Sequence, residues 1–285
     1  MKLVDLHTHS TASDGTDSPA ELVKKAAAAG LAAVALTDHD TIQGLDEAGL
    51  AARETGIEFI RGCELSTSTD QGSMHILGLW LPEDCASLEG FLDMLQKDRS
   101  RRNRAILEKL DRLGIKISME ELEAKAKNSI GRPHFAALMQ EKGYVKSSDE
   151  AFRDYLGING KAYVPKLSPR PEQAIRLLAG LGATPVLAHP LLRPRPAGWL
   201  EGLVRNLARI GLDGLEAWHT TQNDADSNRI IALAEKYGLG LSGGSDYHGS
   251  NKPNIRLGVG MGDLAVPEEA LMKLKARRKA GGLPC

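Results

Sequence analysis

Cysteine is scarce in this sequence. Cys63, Cys85 and Cys285 are an odd number at wide spacing, which argues against a disulfide framework and a CxxC metal site and points to a reducing cytoplasm. Aromatics make up only 4% of residues, which disfavours an extended stacking surface for long single-stranded nucleic acid, although a few bases could still stack. An excess of one charge is missing too: 36 Lys and Arg stand against 37 Asp and Glu, for a formal net charge of -1. No global field would draw in nucleic acid or an anionic membrane, so any anion must be bound by a local site. No apolar run approaches the ~18 residues of a membrane helix, and the opening MKLVDLHTHS meets charge at once. The expectation is a cytoplasmic protein with no membrane contact and no evident obligate protein partner.

What is present is ordinary globular material. At 285 residues, 42% hydrophobic and 26% charged, the chain suits one barrel-sized domain or a domain carrying an insertion. Lys2 to His7 reads as a buried strand, and Ser18-Pro19-Ala20-Glu21 as a capping box with proline at N1, opening a helix that runs to Gly30. Ala32 to Thr37 reads as a second strand, Gly44 to Thr55 as a helix, Ile57 to Cys63 as a third strand and Met74 to Trp80 as a fourth. The alternation favours parallel strands with helices outside, where ligand-binding residues gather at the carboxyl ends of strands. The pattern returns late, with Thr184 to Ala188 ending at His189, Gly214 to Trp218 at His219, and Leu239 to Gly244 leading to Asp246 and His248.

Between these ends the texture is helical, and the expected division is 1–97 and 163–285 as two parts of one barrel, with 98–162 as an inserted cap. Ser118 to Glu121 is another capping box, and Gly114, Gly131 and Gly143 read as stops or turns. The basic stretch KDRSRRNRAILEKLDRLGIK reads most simply as a solvated helix face, with a phosphate-facing cap as the alternative.

His7-Thr8-His9 carries the first chemical signal. Alternation sends residues i and i+2 to one side of a strand end, where two imidazoles can converge on one ion. Asp14, His39, Glu64, His75, His189, Asp246 and His248 occupy comparable strand ends or adjoining loops, where independent structural histidines have no reason to gather. Nine nitrogen and oxygen donors without a thiolate exceed the needs of one tetrahedral zinc, so several ions are implied. Imidazole mixed with carboxylate suits zinc, manganese or iron.

The motifs DLHTHS (Asp5 to Ser10), TDHD (Thr37 to Asp40), GCE (Gly62 to Glu64), His75, AHP (Ala188 to Pro190) and SDYHG (Ser245 to Gly249) together resemble the signature set of the PHP (polymerase and histidinol phosphatase) family. The resemblance implies a distorted (β/α)7 barrel, here with a helical insertion, and two or three divalent ions, manganese ranked first with zinc or iron as alternatives. It assigns His7, His9, Glu64 and Asp246 to a first ion, Glu64, His75 and His189 to a second, and Asp14, His39 and His248 to a third. Asp5 and Asp38 are expected to orient imidazoles, Asp38 having metal binding as its alternative. His219 stands between a structural or orienting role and substrate contact or acid catalysis.

Gly131-Arg132-Pro133-His134 resembles a segment of the family branch that contains nucleoside bisphosphate phosphatases and RNA-trimming enzymes. Arg132 offers a planar fork for phosphate and His134 a second donor, against the plain reading of a helix start with an exposed histidine. The leading expectation is removal of the 3′-phosphate from a nucleoside 3′,5′-bisphosphate by a hydroxide bridging two ions at Glu64 and Asp246. A small phosphorylated nucleotide would then be the partner. The alternatives are a 5′→3′ exoribonuclease on short RNA, a histidinol-phosphate phosphatase, and, from another class, a non-catalytic nucleotide sensor or polymerase accessory.

Overall fold

The first strand is only two residues long, yet it is the seam on which the sheet closes. In a computed structural model, which describes residues 2–125, 130–166 and 168–285, the elements begin with β1 (Val4–Asp5), α1 (Pro19–Ala28), β2 (Ala33–Leu36), α2 (Leu45–Thr55), β3 (Glu58–Thr69) and β4 (Gly72–Leu79). Next come α3 (Ala86–Arg112), α4 (Met119–Lys125), α5 (Arg132–Glu141) and α6 (Ser148–Ala151), followed by a π-helical turn over Phe152–Leu156. The chain ends with α7 (Pro171–Gly180), β5 (Thr184–Leu187), α8 (Trp199–Ala208), β6 (Gly214–His219), α9 (Asp224–Lys236), β7 (Gly240–Gly244) and α10 (Glu268–Ala280). Of the expected helical segment, residues 126–129 lie outside the described residues.

The seven strands follow sequence order across one sheet. Leu6 N donates to Gly243 O (3.1 Å) and Asp246 N to His7 O (2.9 Å), bringing β7 back against the first strand in a nearly closed barrel. This seam requires a glycine: a Cβ on Gly244 would stand 2.4 Å from the His7 Cβ. Barrel closure leaves only inward and outward faces, and the inward layer is filled by buried Val4, Leu6, Ala35, Ile60, Leu77, Val186 and Ala188. Burying each such aliphatic side chain fully contributes about 1.5–3 kcal/mol for the larger ones.

Two expectations about the strands need correction. Glu64 does not follow the third strand but lies within it, because the polar tail ELSTST continues as a ladder with β4. The strands are also not all parallel, since β4 runs against both β3 and β5. Only Asp70 and Gln71 separate β3 from β4, and two residues can close a hairpin but not a parallel crossover. Reversal has a functional consequence: His75, near the start of β4, reaches the end of the barrel where the other strands finish, opposite Ser66 and beside Ala188.

The chain divides into two compact units, Met1–Glu89 with Pro169–Cys285, and Gly90–Ser168. In the first, Ser18 and Glu21 form the expected capping box on α1, worth about 1 kcal/mol. The second has its own core, built on Ile106, Leu110, Phe135, Met139 and Leu156. Gly114 and Gly143 turn the chain at positive φ as expected, whereas Gly131 starts α5 rather than stopping a helix. The basic stretch is not uniformly a solvated face. Arg102 is buried and donates to Val164 O (3.0 Å), while Lys109 donates to Tyr163 O (2.6 Å), so both strap the returning chain.

Candidate metal centre

All nine donors named from the sequence meet at one end of the barrel. Glu64 is their hub: its carboxylate lies 2.8 Å from His75 Nδ1, 2.9 Å from His39 Nδ1, 3.0 Å from His189 Nε2, 3.2 Å from His9 Nε2 and 3.3 Å from His7 Nε2. Asp246 Oδ1 stands 3.3 Å from His9 Nε2 and 3.7 Å from His7 Nε2. Asp14 lies 3.2 Å from His248 Nε2 and 3.9 Å from both His9 Nδ1 and His39 Nε2. His189 and Asp246 adopt positive φ, 27° and 57°. This is a conformation that His and Asp tolerate better than bulky residues and that often marks functional sites.

Hydrogen bonds behind the cluster decide which ring nitrogen faces it. His7 Nδ1–H donates to Glu216 Oε1 (2.9 Å), leaving Nε2 as the open lone pair toward Glu64. His248 Nδ1–H donates to Asp246 O (2.8 Å), which likewise frees its Nε2 for the side of Asp14. His219 is wired in the opposite sense. Its Nδ1 accepts from Thr221 N (3.2 Å), so the neutral ring carries its proton on Nε2, 3.6 Å from Asp246 Oδ2.

Glu216 was absent from the sequence reading. Fully buried, it orients His7 and also accepts from His189 N at 2.6 Å, supporting the backbone at a strained position. A signal was available, since a glutamate within the apolar run GLEAW must find buried partners or not be there. The expectation for Asp5 and Asp38 is corrected. Among the described residues neither is hydrogen-bonded to an imidazole: Asp5 accepts from Ser245 N and Oγ (2.9 and 2.6 Å) and Gly258 N (2.8 Å), while Asp38 accepts from Ser10 N and Oγ (2.8 and 2.6 Å) and Ser13 Oγ (2.5 Å). They fix the loops that carry the candidate donors rather than the donor side chains themselves.

The electrostatics are those of a cation site holding protons instead. Burial is the strongest influence on His9 and opposes its charge, yet Asp246 and Glu64 raise its pKa to about 9. Burial likewise opposes charge on His7, and Glu216 and Glu64 override it. Burial pushes Glu64 and Asp246 upward, but surrounding imidazoles hold both well below the usual carboxylate range. Because the folded pKa of His9 lies above its unfolded value of 6.5, its stabilising contribution is complete below about pH 6.5 and disappears as pH rises through about 9. Metal must displace that proton. Chelator-stripped protein should therefore lose thermal stability between those pH values while its divalent-ion affinity climbs. Melting curves and calorimetry in buffers of different ionisation enthalpy would reveal both, and a metal affinity that stayed flat with pH would refute the coupling.

Divalent ions fit these residues. His7 Nε2, both ring nitrogens of His9, His39 Nδ1 and Glu64 Oε2 are buried without a hydrogen-bond partner, a costly state that coordination would relieve. Ligand atoms of His7, Glu64 and His189, of His7, His9 and Asp246, of His39, Glu64 and His75, and of His9, Asp14, His39 and His248 fall in groups within 4.8 Å. Arg132 and His134 belong to the other unit. There Arg132 Nη1 donates to Leu156 O (3.1 Å) and its guanidinium lies 5.8 Å from the Phe152 ring centre. Gly131 N donates to His134 Nδ1 (3.0 Å), leaving the His134 proton on Nε2.

A nearly closed barrel with this donor set defines a metal-dependent hydrolase. A family model described as the PHP domain matches residues 5–164. The chain is 36% identical to a 5′-3′ exoribonuclease of Haemophilus influenzae, over 87% of this chain and 90% of the relative. It is 33% identical to a 3′,5′-nucleoside bisphosphate phosphatase of Chromobacterium violaceum, over 87% and 88%. A solved structure of a Chromobacterium violaceum amidohydrolase with bound sulfate and no metal matches with a TM-score of 0.78 at 31% identity, covering 96% of each chain. The chain belongs to the PHP family and is a metal-dependent phosphoester hydrolase.

Proposed function

We propose that the chain removes the 3′-phosphate of a nucleoside 3′,5′-bisphosphate, leaving the 5′-nucleotide and inorganic phosphate. The observation that carries the hydrolytic reading is the set of buried imidazole nitrogens that crowd Glu64 without making a hydrogen bond. The substrate reading leans on the Chromobacterium violaceum phosphatase relative. His7, His9, Glu64 and Asp246 would hold one ion, Glu64, His75 and His189 a second, and Asp14, His39 and His248 a third, with manganese first and zinc or iron suiting the same donors. Bound ions supply Lewis acidity toward the phosphoryl oxygens and lower the pKa of water to near neutrality.

The remaining work falls to the chain. Glu216 keeps His7 in the tautomer whose Nε2 is open, and Asp5 and Asp38 hold the ligand loops still. When water oxygen bonds to phosphorus and the P–O3′ bond breaks, the departing oxygen needs a proton, and His219, whose Nε2 faces Asp246, is assigned to supply it from its imidazolium form. Arg132 and His134 are assigned to a phosphate that the substrate retains. Phosphate release from adenosine 3′,5′-bisphosphate should exceed that from 5′-AMP by about a hundredfold, and Arg132→Met should mainly raise KM for the bisphosphate. Equal rates on the two nucleotides would sink the assignment.

The identity to exoribonucleases of Haemophilus influenzae and Escherichia coli supports a second reading, stepwise release of nucleotides from short 5′-phosphorylated RNA. A labelled RNA ladder separates the two, because a phosphatase restricted to mononucleotides leaves it intact.

A further inference from the structure

Lys252 is a cation at the centre that the mechanism above does not use. Its Nζ lies 2.6 Å from Asp246 Oδ2, whereas every other ion pair described for Asp14, Glu64 and Asp246 runs to an imidazole. The lysine side chain is 38% exposed against 16% for the aspartate, so the ammonium approaches from the solvent side of the cluster.

The turn that carries it is tied down. Ser250 N donates to Thr16 Oγ1 (2.8 Å) and Asn251 Nδ2 to Asp14 O (2.7 Å), joining this turn to the loop that bears Asp14. Gly249 has φ +64° and a Cβ there would meet Thr16 Oγ1 at 2.1 Å, so the chain must be glycine at this closest approach. Pro253 follows and disfavours the helical region for Lys252, which sits at φ -128° and ψ 72°. A lysine on a pinned turn is preorganised, and its compact ammonium is a strong point charge for phosphoryl oxygens.

We propose that Lys252 is a catalytic residue with two partners: it neutralises Asp246 when that carboxylate has no metal ion, and moves to a phosphoryl oxygen of the substrate when it has one. This rests on the metal-centre and phosphoester readings of the same site. It predicts effects of opposite sign from one substitution. In Lys252→Met, chelator-stripped protein should bind Mn²⁺ about tenfold more tightly, because a competing cation is gone, while the Mn²⁺-loaded protein should bind inorganic phosphate about ten- to a hundredfold more weakly. Lys252→Arg should recover most of the phosphate affinity.

Calorimetric titration of both variants and the parent with Mn²⁺ and then with inorganic phosphate reads each effect without turnover. Unchanged phosphate affinity in Lys252→Met overturns the proposal. So does parallel weakening of both ligands, which is the signature of a merely structural lysine. A parent protein that takes up no Mn²⁺ would instead remove the metal reading itself, and the proposal with it.

Discussion

Glu216→Gln is expected to lower divalent-ion affinity by about 10- to 100-fold, with a corresponding loss of phosphate release at limiting metal. The carboxylate accepts two hydrogen bonds at once, from His7 Nδ1–H and from His189 N. An amide has one acceptor oxygen. If its NH₂ group turns to His7, the ring must accept at Nδ1 and carry its proton on Nε2, the atom that faces Glu64. If the NH₂ turns to His189, two donors oppose each other at a backbone already held at φ 27°. Either arrangement spoils a ligand without touching an ion. Metal analysis after dialysis against buffered Mn²⁺, beside a melting curve of the stripped protein, would check this. An affinity equal to the parent's would show that Glu216 merely fills space.

Glu64→Gln should have the larger catalytic effect, a fall of roughly a thousandfold or more in kcat/KM at saturating metal. No other side chain described in the cluster meets five imidazoles. The same change should destabilise chelator-stripped protein by about 3–5 kcal/mol near neutrality, since His7 and His9, paired with Glu64 in a buried site, lose its counter-charge. The sign follows from linkage. Burial acts most strongly on Glu64 and pushes its pKa up, but His39, His75 and His7 bring it well below the ordinary glutamate value of 4.5. Its stabilising contribution is therefore present above about pH 4.5 and is lost as pH falls through the depressed folded value. Denaturant melts of both stripped proteins near pH 7 would measure the difference. Equal stability would mean that Glu64 does not hold charge on His7 and His9.

The clustering of the nine donors was readable because its signals are local. Histidines two apart at the end of a strand, an Asp-His pair after the next strand and an Asp-x-His after the last all sit where alternation and strand-end geometry can be judged within a few residues. Helix starts were equally local, as Ser18 with Glu21 and Ser118 with Glu121 show. The direction of β4 was not read, although the two-residue link before it carried the information, because the run of parallel β-α units set a strong contrary expectation. Glu216 was missed for a different reason: its partners lie 209 and 27 residues away in the chain.

Sequence alone determined which side chains can bind a cation and that they fall near strand ends, since both follow from residue type and short-range periodicity. Tertiary structure decided how they are used: which nitrogen of His7, His219 and His248 is open, that Asp5 and Asp38 brace loops rather than rings, and that Lys252 reaches Asp246. Tautomer and orientation are set by the hydrogen bond on the far side of each ring. That bond exists only after β1 and β7 have met to bring the two ends of the chain into one wall.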